Sequence, residues 1–240
     1  MSYSNSYEFS VDTSMADKFG RLSPTGFQRL IISATEKELI RMQVDIPTLI
    51  KNYGVSWILL SLTVKVFAKI GVGENLTVKT HHTWRKSVLY RRDFAFYNSQ
   101  NQLVAVGATF SSLFNLETRR ICTNRDVYEK LTFPEDEELF EATHKPSKQG
   151  EFVQTECVAV RKSWIDSLGH VNNFRYGELT YDSIPTELEG MPFNRLEIYF
   201  TGELSYGEKV VLKRNLTDCI LQVEGLHEDG KQAFLSKLFY

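Results

Sequence analysis

The chain is short of the features that mark secreted, metal-binding and membrane proteins. Its 240 residues hold three cysteines, Cys122, Cys157 and Cys219. They are widely spaced, odd in number and contain no C-x-x-C pair, so neither a disulfide framework nor a zinc site is suggested. No stretch approaches the roughly 18 consecutive apolar residues of a membrane span. Met1 to Phe9 is polar and lacks the apolar core of a secretory signal. Neither sign of charge dominates, and a net charge of −2 gives no global reason to expect nucleic acid as a partner. A soluble cytoplasmic protein is the expectation.

What is present is ordinary for a globular chain, with 42% hydrophobic and 24% charged residues. The length suits one large domain or two small ones. The residue pattern favours two halves built on one plan. In the first, Ser23 is placed to cap a helix with Pro24 at its first position, where a missing N–H costs nothing. Phe27, Leu30, Ile31 and Ala34 then give one apolar helix face. Strand-like runs rich in β-branched and aromatic residues follow at Val55–Phe67, Asn75–Trp84, Leu89–Tyr97 and Leu103–Leu116. Asn98 to Asn101 reads as a hairpin turn.

In the second half Glu151–Arg161 reads as a strand. A helix is expected from Asn173 to about Ile184, capped by Asn172 or Asn173 and ended before Pro185. Strands follow at Arg195–Leu204, Lys209–Leu216, Cys219–Gly225 and Gln232–Tyr240, the last after a turn at Glu228–Gly230. Gly73 to Lys79 and Gly207 to Lys213 share the pattern G-E-x-apolar-x-apolar-K at matching places, which supports an internal repeat. The expected divisions are residues 1–133, a linker over 134–150 with two prolines and the acidic run Glu135–Glu138, and residues 151–240. A helix followed by consecutive strands excludes a doubly wound fold. It suits an α+β class in which each half is a long helix wrapped by a curved antiparallel sheet. Two such sheets can pair edge to edge and cover their free strands.

One segment carries chemistry. Asp166-Ser167-Leu168-Gly169-His170-Val171-Asn172-Asn173 sets a carboxylate four residues before an imidazole and leads into the second helix. A free carboxylate is a weak base at neutral pH, and burial strengthens one. Asp166 is the candidate general base. His170 is placed to orient it or to polarise a carbonyl. Backbone N–H groups over Gly169–Asn173, including Asn172 and Asn173, form a candidate oxyanion site at a helix start. Each has a plainer reading: Asp166 as a turn residue, His170 as a packed histidine, the asparagines as caps. His81 and His82 are assigned no function. The first half shows no such segment. Its helix entry reads Lys18-Phe19-Gly20-Arg21-Leu22-Ser23-Pro24, and it is expected to carry no catalysis.

The order of elements and the Asp-x-x-x-His-Val-Asn-Asn segment resemble the acyl-ACP thioesterases, which carry two hotdog domains in tandem. Trp57-Ile58-Leu59, Thr83-Trp84 and Arg92-Asp93-Phe94 match that family's first half, and His170 to Tyr176 its second. The resemblance implies hydrolysis of acyl-ACP to free fatty acid, with no metal or organic cofactor. By strand register it puts the family's catalytic glutamate at Glu203, and it implies an acyl-chain pocket in the first half, with Phe27, Leu30, Ile31 and Trp57 as candidates. An acidic acyl carrier protein is the implied partner, docked on a basic cluster at Arg85–Lys86, Arg91–Arg92 or Arg119–Arg120. Leu168 and Leu204 stand where the family has asparagine and, in plant members, cysteine. This leaves an acyl-CoA thioesterase or a non-catalytic acyl-binding protein as alternatives. A monomer and a homodimer both fit.

Overall fold

A computed structural model describes residues 5–240. The first half comprises β1 (Asn5–Ser10), α1 (Pro24–Arg41), α2 (Ile46–Tyr53), β2 (Val55–Val66), β3 (Asn75–Lys86), β4 (Leu89–Asn98), β5 (Leu103–Asn115), β6 (Arg120–Ile121) and α3 (Arg125–Lys130). The second comprises β7 (Val153–Ala159), α4 (Phe174–Asp182), β8 (Arg195–Phe200), β9 (Lys209–Thr217), β10 (Ile220–Leu226) and β11 (Gln232–Phe239). No helix among the described residues is long and apolar enough to cross a membrane.

The strands form one antiparallel sheet in the order β1-β3-β4-β5-β2-β8-β11-β10-β9-β7, with β6 on β5. Read inward from either edge, this order pairs β1 with β7, β3 with β9, β4 with β10, β5 with β11 and β2 with β8. The halves are therefore related by a pseudo-twofold between β2 and β8, whose pairing runs from Ser61↔Tyr199 to Lys65↔Arg195. Joining there leaves neither half with an open edge at its centre. Each half follows the expected plan of a helix against a curved sheet.

Both helices bury one face in a shared core. Phe27, Leu30 and Ile31 of α1 and Tyr176 and Leu179 of α4 lie in one cluster with Leu62, Phe94, Ile198 and Phe234 from the strands. Ser23 caps α1, its Oγ accepting from Gly26 N at 3.0 Å. The helices also touch each other: Gln28 Nε2 donates to the Asn173 carbonyl at 3.0 Å. A smaller cluster around Leu49, Val55, Tyr90, Leu113 and Tyr128 packs α2 and α3 onto the first half.

Residues 134–150 form no helix or strand, yet they bond to both halves. Asp136 N donates to Thr83 O, Trp84 Nε1 to Glu138 Oε1 and Arg91 Nη2 to Phe140 O. Further on, Lys237 Nζ donates to Ser147 Oγ, and Lys148 pairs with Glu224. This segment is a strap over polar sheet residues.

Candidate active site

The loop from Val160 to Asn173 is closed by its own backbone. Asp166 N donates to His170 O at 2.9 Å, and Asn172 N to Trp164 O at 2.8 Å. Asp166 Oδ1 accepts from Leu168 N at 2.8 Å, as a turn aspartate does. Gly169 has φ +87°, a conformation that favours glycine. Val171 N donates to Leu204 O at 2.8 Å and docks the loop beside the end of β8. Asn172 Oδ1 then accepts from Phe174 N at 3.0 Å, so Asn172 rather than Asn173 supplies the side-chain cap of α4.

This docking sets His170 against Glu203, with Nε2 and Oε2 3.0 Å apart. Arg119 Nη2 donates to the same Glu203 oxygen at 2.7 Å and lies 3.4 Å from His170 Nε2. Arg119 comes from the other half, in the turn between β5 and β6, where its φ is +56°. Its guanidinium rests on Phe114, 5.3 Å from the ring centroid. The trio is partly open to solvent.

Asp166 faces elsewhere. Its residue lines a cavity of about 250 Å³ together with Asn172, Asn173, Ile31, Trp57 and Tyr90. Among the described residues no side-chain hydrogen bond joins Asp166 to His170, so the expected contact of carboxylate and imidazole is not made. Tyr176 is buried and feels both acids. Burial foremost, then the Glu203 and Asp166 carboxylates, pushes its hydroxyl well above the usual phenol range, while a backbone hydrogen bond at Leu204 opposes this. It stays neutral at any working pH.

Several expected roles change. Gly169 N donates to Asp166 O and Asn172 N to Trp164 O, so these two N–H groups are spent inside the loop. Over 169–173, His170 and Asn173 carry the N–H groups with no recorded acceptor among the described residues. Of the acyl-pocket candidates, Ile31 and Trp57 line the cavity. Leu30 is fully inside the main core, and Phe27 lines a different cavity. The flank of α1 that meets Asp166 is Ile31, Thr35 and Leu39, spaced by one helical turn. Arg91 and Arg92 are 1% and 8% exposed and so are not a docking surface. Arg92 and His82 instead line the Asp166 cavity. Burial foremost lowers Arg92 to about 10 and His82 to about 4. Sequence reasoning assigned Arg119 and Arg92 only a carrier-docking role and His82 none; the alternation of β3 is interrupted by a bulge between His82 and Trp84.

The first half does possess a counterpart of the loop. Asp17 N donates to Arg21 O at 2.7 Å, Gly20 N to Asp17 O at 2.9 Å and Ser23 N to Met15 O at 3.0 Å. Asp17 Oδ1 accepts from Phe19 N at 2.9 Å, and Leu22 N donates to Ile70 O at 2.8 Å. Each bond repeats one above. Asp17 thus matches Asp166, Arg21 matches His170, Pro24 matches Asn173 and Lys69 matches Glu203. The shared signal was Asp-x-x-Gly ahead of a helix, hidden by the missing histidine.

Family models for the acyl-ACP thioesterase N-terminal domain and C-terminal domain match residues 2–131 and 147–232. An acyl-ACP thioesterase from Bacteroides thetaiotaomicron VPI-5482 superposes with a TM-score of 0.86 and 21% identity, over 98% of this chain and 97% of that one. A 12:0-ACP thioesterase from Umbellularia californica gives 0.85 at 14% identity, over 100% and 97%. A putative oleoyl thioesterase from Lactobacillus plantarum gives 0.81 at 17% identity, over 98% and 94%. At these identities the likeness is one of fold. No curated protein matches the chain.

Proposed function

The chain belongs to the acyl-ACP thioesterase family, a family of thioester hydrolases, and we propose that Asp166 activates the water that cleaves the acyl-ACP thioester. The observation that carries this reading is the placement of Asp166 on a largely apolar cavity, in one loop with His170, which meets Glu203 and Arg119. An acyl chain seated against Ile31 and Trp57 brings its carbonyl to the loop. The Asp166 carboxylate takes a proton from water as the water oxygen bonds to the carbonyl carbon. The Asn173 N–H, at the start of α4, faces the developing oxyanion. Collapse breaks the carbon–sulfur bond, and the carrier's thiolate leaves and takes up a proton. His170, held by Glu203, orients the thioester beside the loop, and Arg119 holds Glu203 in place.

Residues 151–240 then supply the chemistry, residues 1–133 most of the acyl-chain wall, and 134–150 the tie between them. Arg119, which contacts Glu203 and lies beside His170, and its neighbour Arg120 are exposed and are the docking point for an acidic carrier. A monomer suffices, because β2 and β8 already join two hotdog units. The three free thiols suit a reducing cytoplasm.

Turnover of acyl-ACP with detection of the released thiol tests the assignment. Asp166→Asn is expected to lower kcat by at least about a hundredfold, as loss of a general base does. Its circular dichroism and midpoint of unfolding should stay near wild type. Arg119→Gln should cost on the order of tenfold through misplacement of Glu203. Near-normal kcat in Asp166→Asn refutes the role given to it.

A further inference from the structure

The first-half loop keeps the backbone of the catalytic loop and exchanges its chemistry. Arg21 replaces the imidazole and Lys69 the glutamate, and Pro24 removes the N–H that Asn173 offers. Asp17 remains but is tied to Arg21 at 2.8 Å, and a loop without an imidazole pair or an oxyanion donor has no means of hydrolysis. Beside it, nonetheless, lies a cavity of about 820 Å³, more than three times the roughly 250 Å³ at Asp166. Its size falls within the ~300–1,000 Å³ of small-molecule sites.

The two cavities are built by one rule. At Asp166 the wall opposite the loop is α1, through Ile32, Thr35 and Leu39. At Asp17 it is the end of α4 and the turn after it, through Tyr181, Ile184 and Leu188, which stand 149 residues further on in each case, as Asp166 does from Asp17. The large cavity is therefore the pseudo-symmetric mate of the catalytic one. Phe27 and Ile70 add to its apolar wall.

Its charges are mostly paired. Arg21 is held by Asp17 at 2.8 Å and by Gly190 O at 2.6 Å, and Lys18 by Glu189 at 2.5 Å. Asp182 stands at the rim, its carboxyl raised by burial and by neighbouring Glu178 and Glu156. Lys69 lines the cavity with no ion pair recorded among the described residues. A large, mainly apolar cavity whose one uncommitted cation among the described residues is Lys69 selects an amphiphile with an anionic head.

We propose that this cavity is a second, non-catalytic ligand site for an unesterified fatty acid, its chain on the apolar wall and its carboxylate on Lys69. The inference rests on the proposed function only in that hydrolysis supplies such a ligand.

Isothermal titration of the full chain with dodecanoate, and separately with dodecanol, tests it. The Asp166→Asn background, which removes turnover, should retain dodecanoate binding that Lys69→Glu weakens at least tenfold. Dodecanol binding should differ by less than twofold between the same two proteins. Lys69 is exposed, so the variant should fold, and its initial rate on acyl-ACP should match wild type. Dodecanoate binding unchanged by Lys69→Glu, or absent once Ile32→Trp, at a partly buried position, fills the Asp166 cavity, overturns the second site. Neither result bears on whether Asp166 performs the hydrolysis, which the turnover assay reads separately.

Discussion

His82 shows how the cavity wall carries a pH dependence of its own. Its ring packs against Tyr90 and Phe133, with centroids at 5.9 and 5.2 Å, and Nδ1 meets Pro134 O at 3.3 Å. Burial holds its pKa at about 4, below the ordinary value of about 6.5 for an unfolded histidine. The unfolded chain therefore takes up this proton first as pH falls. Stability from this group is fully present above about 6.5 and is lost as pH falls toward 4. At pH 5 the loss is about 2 kcal/mol. Urea unfolding at pH 7 and pH 5 should show His82→Phe losing that part of the wild-type difference; an unchanged difference refutes the neutral buried ring. At this scale the sequence was informative where contacts are local. Asp166, His170 and the asparagines stand in one loop, and strand register reached Glu203. Arg119 touches Glu203 across 84 residues and two halves, so only sheet pairing reveals it.

The crossing of α1 and α4 links the two loops mechanically. Gly177 leaves so little room that a Cβ there would lie 1.9 Å from Gln28 Oε1. Gln28 is fully buried and holds the Asn173 carbonyl, so it has nowhere cheap to move. Gly177→Ala is expected to cost about 1–3 kcal/mol, the range for overpacking. Because Gln28 would release Asn173, kcat should fall as well; a stable, fully active variant would show that the helices slide freely. Long elements were legible because their periods are strong: α1 from its cap and apolar face, the strands of both halves from β-branched runs. Bounds moved inward at the strand ends, to Val153–Ala159 and Arg195–Phe200. Polar β1 gave too little contrast to be seen, and α2 and α3, with eight and six residues, are too short for a period to show.

For the whole molecule the seam at β2 and β8 decides cooperativity. Residues 1–133 alone would expose the β8-facing edge of β2, a largely apolar strand that would stay paired only with β5. That fragment is expected to aggregate or to self-associate, while the full chain should unfold in one calorimetric transition. A monomeric 1–133 with its own sharp transition on size exclusion and calorimetry would contradict this. The strap over 134–150 was legible as irregular chain from its prolines and acids. Its attachment was not, since the partners of Glu138 and Lys148 lie on strands of different halves.

Fusion has a price and a licence. In an assembly of two identical short polypeptides, any change in the loop strikes both reaction centres at once. Written into one continuous polypeptide, the two loops answer to separate codons. Arginine could settle at position 21 and lysine at position 69 while position 170 kept its imidazole and position 203 its acid, and no copy of the enzyme was left without a working centre.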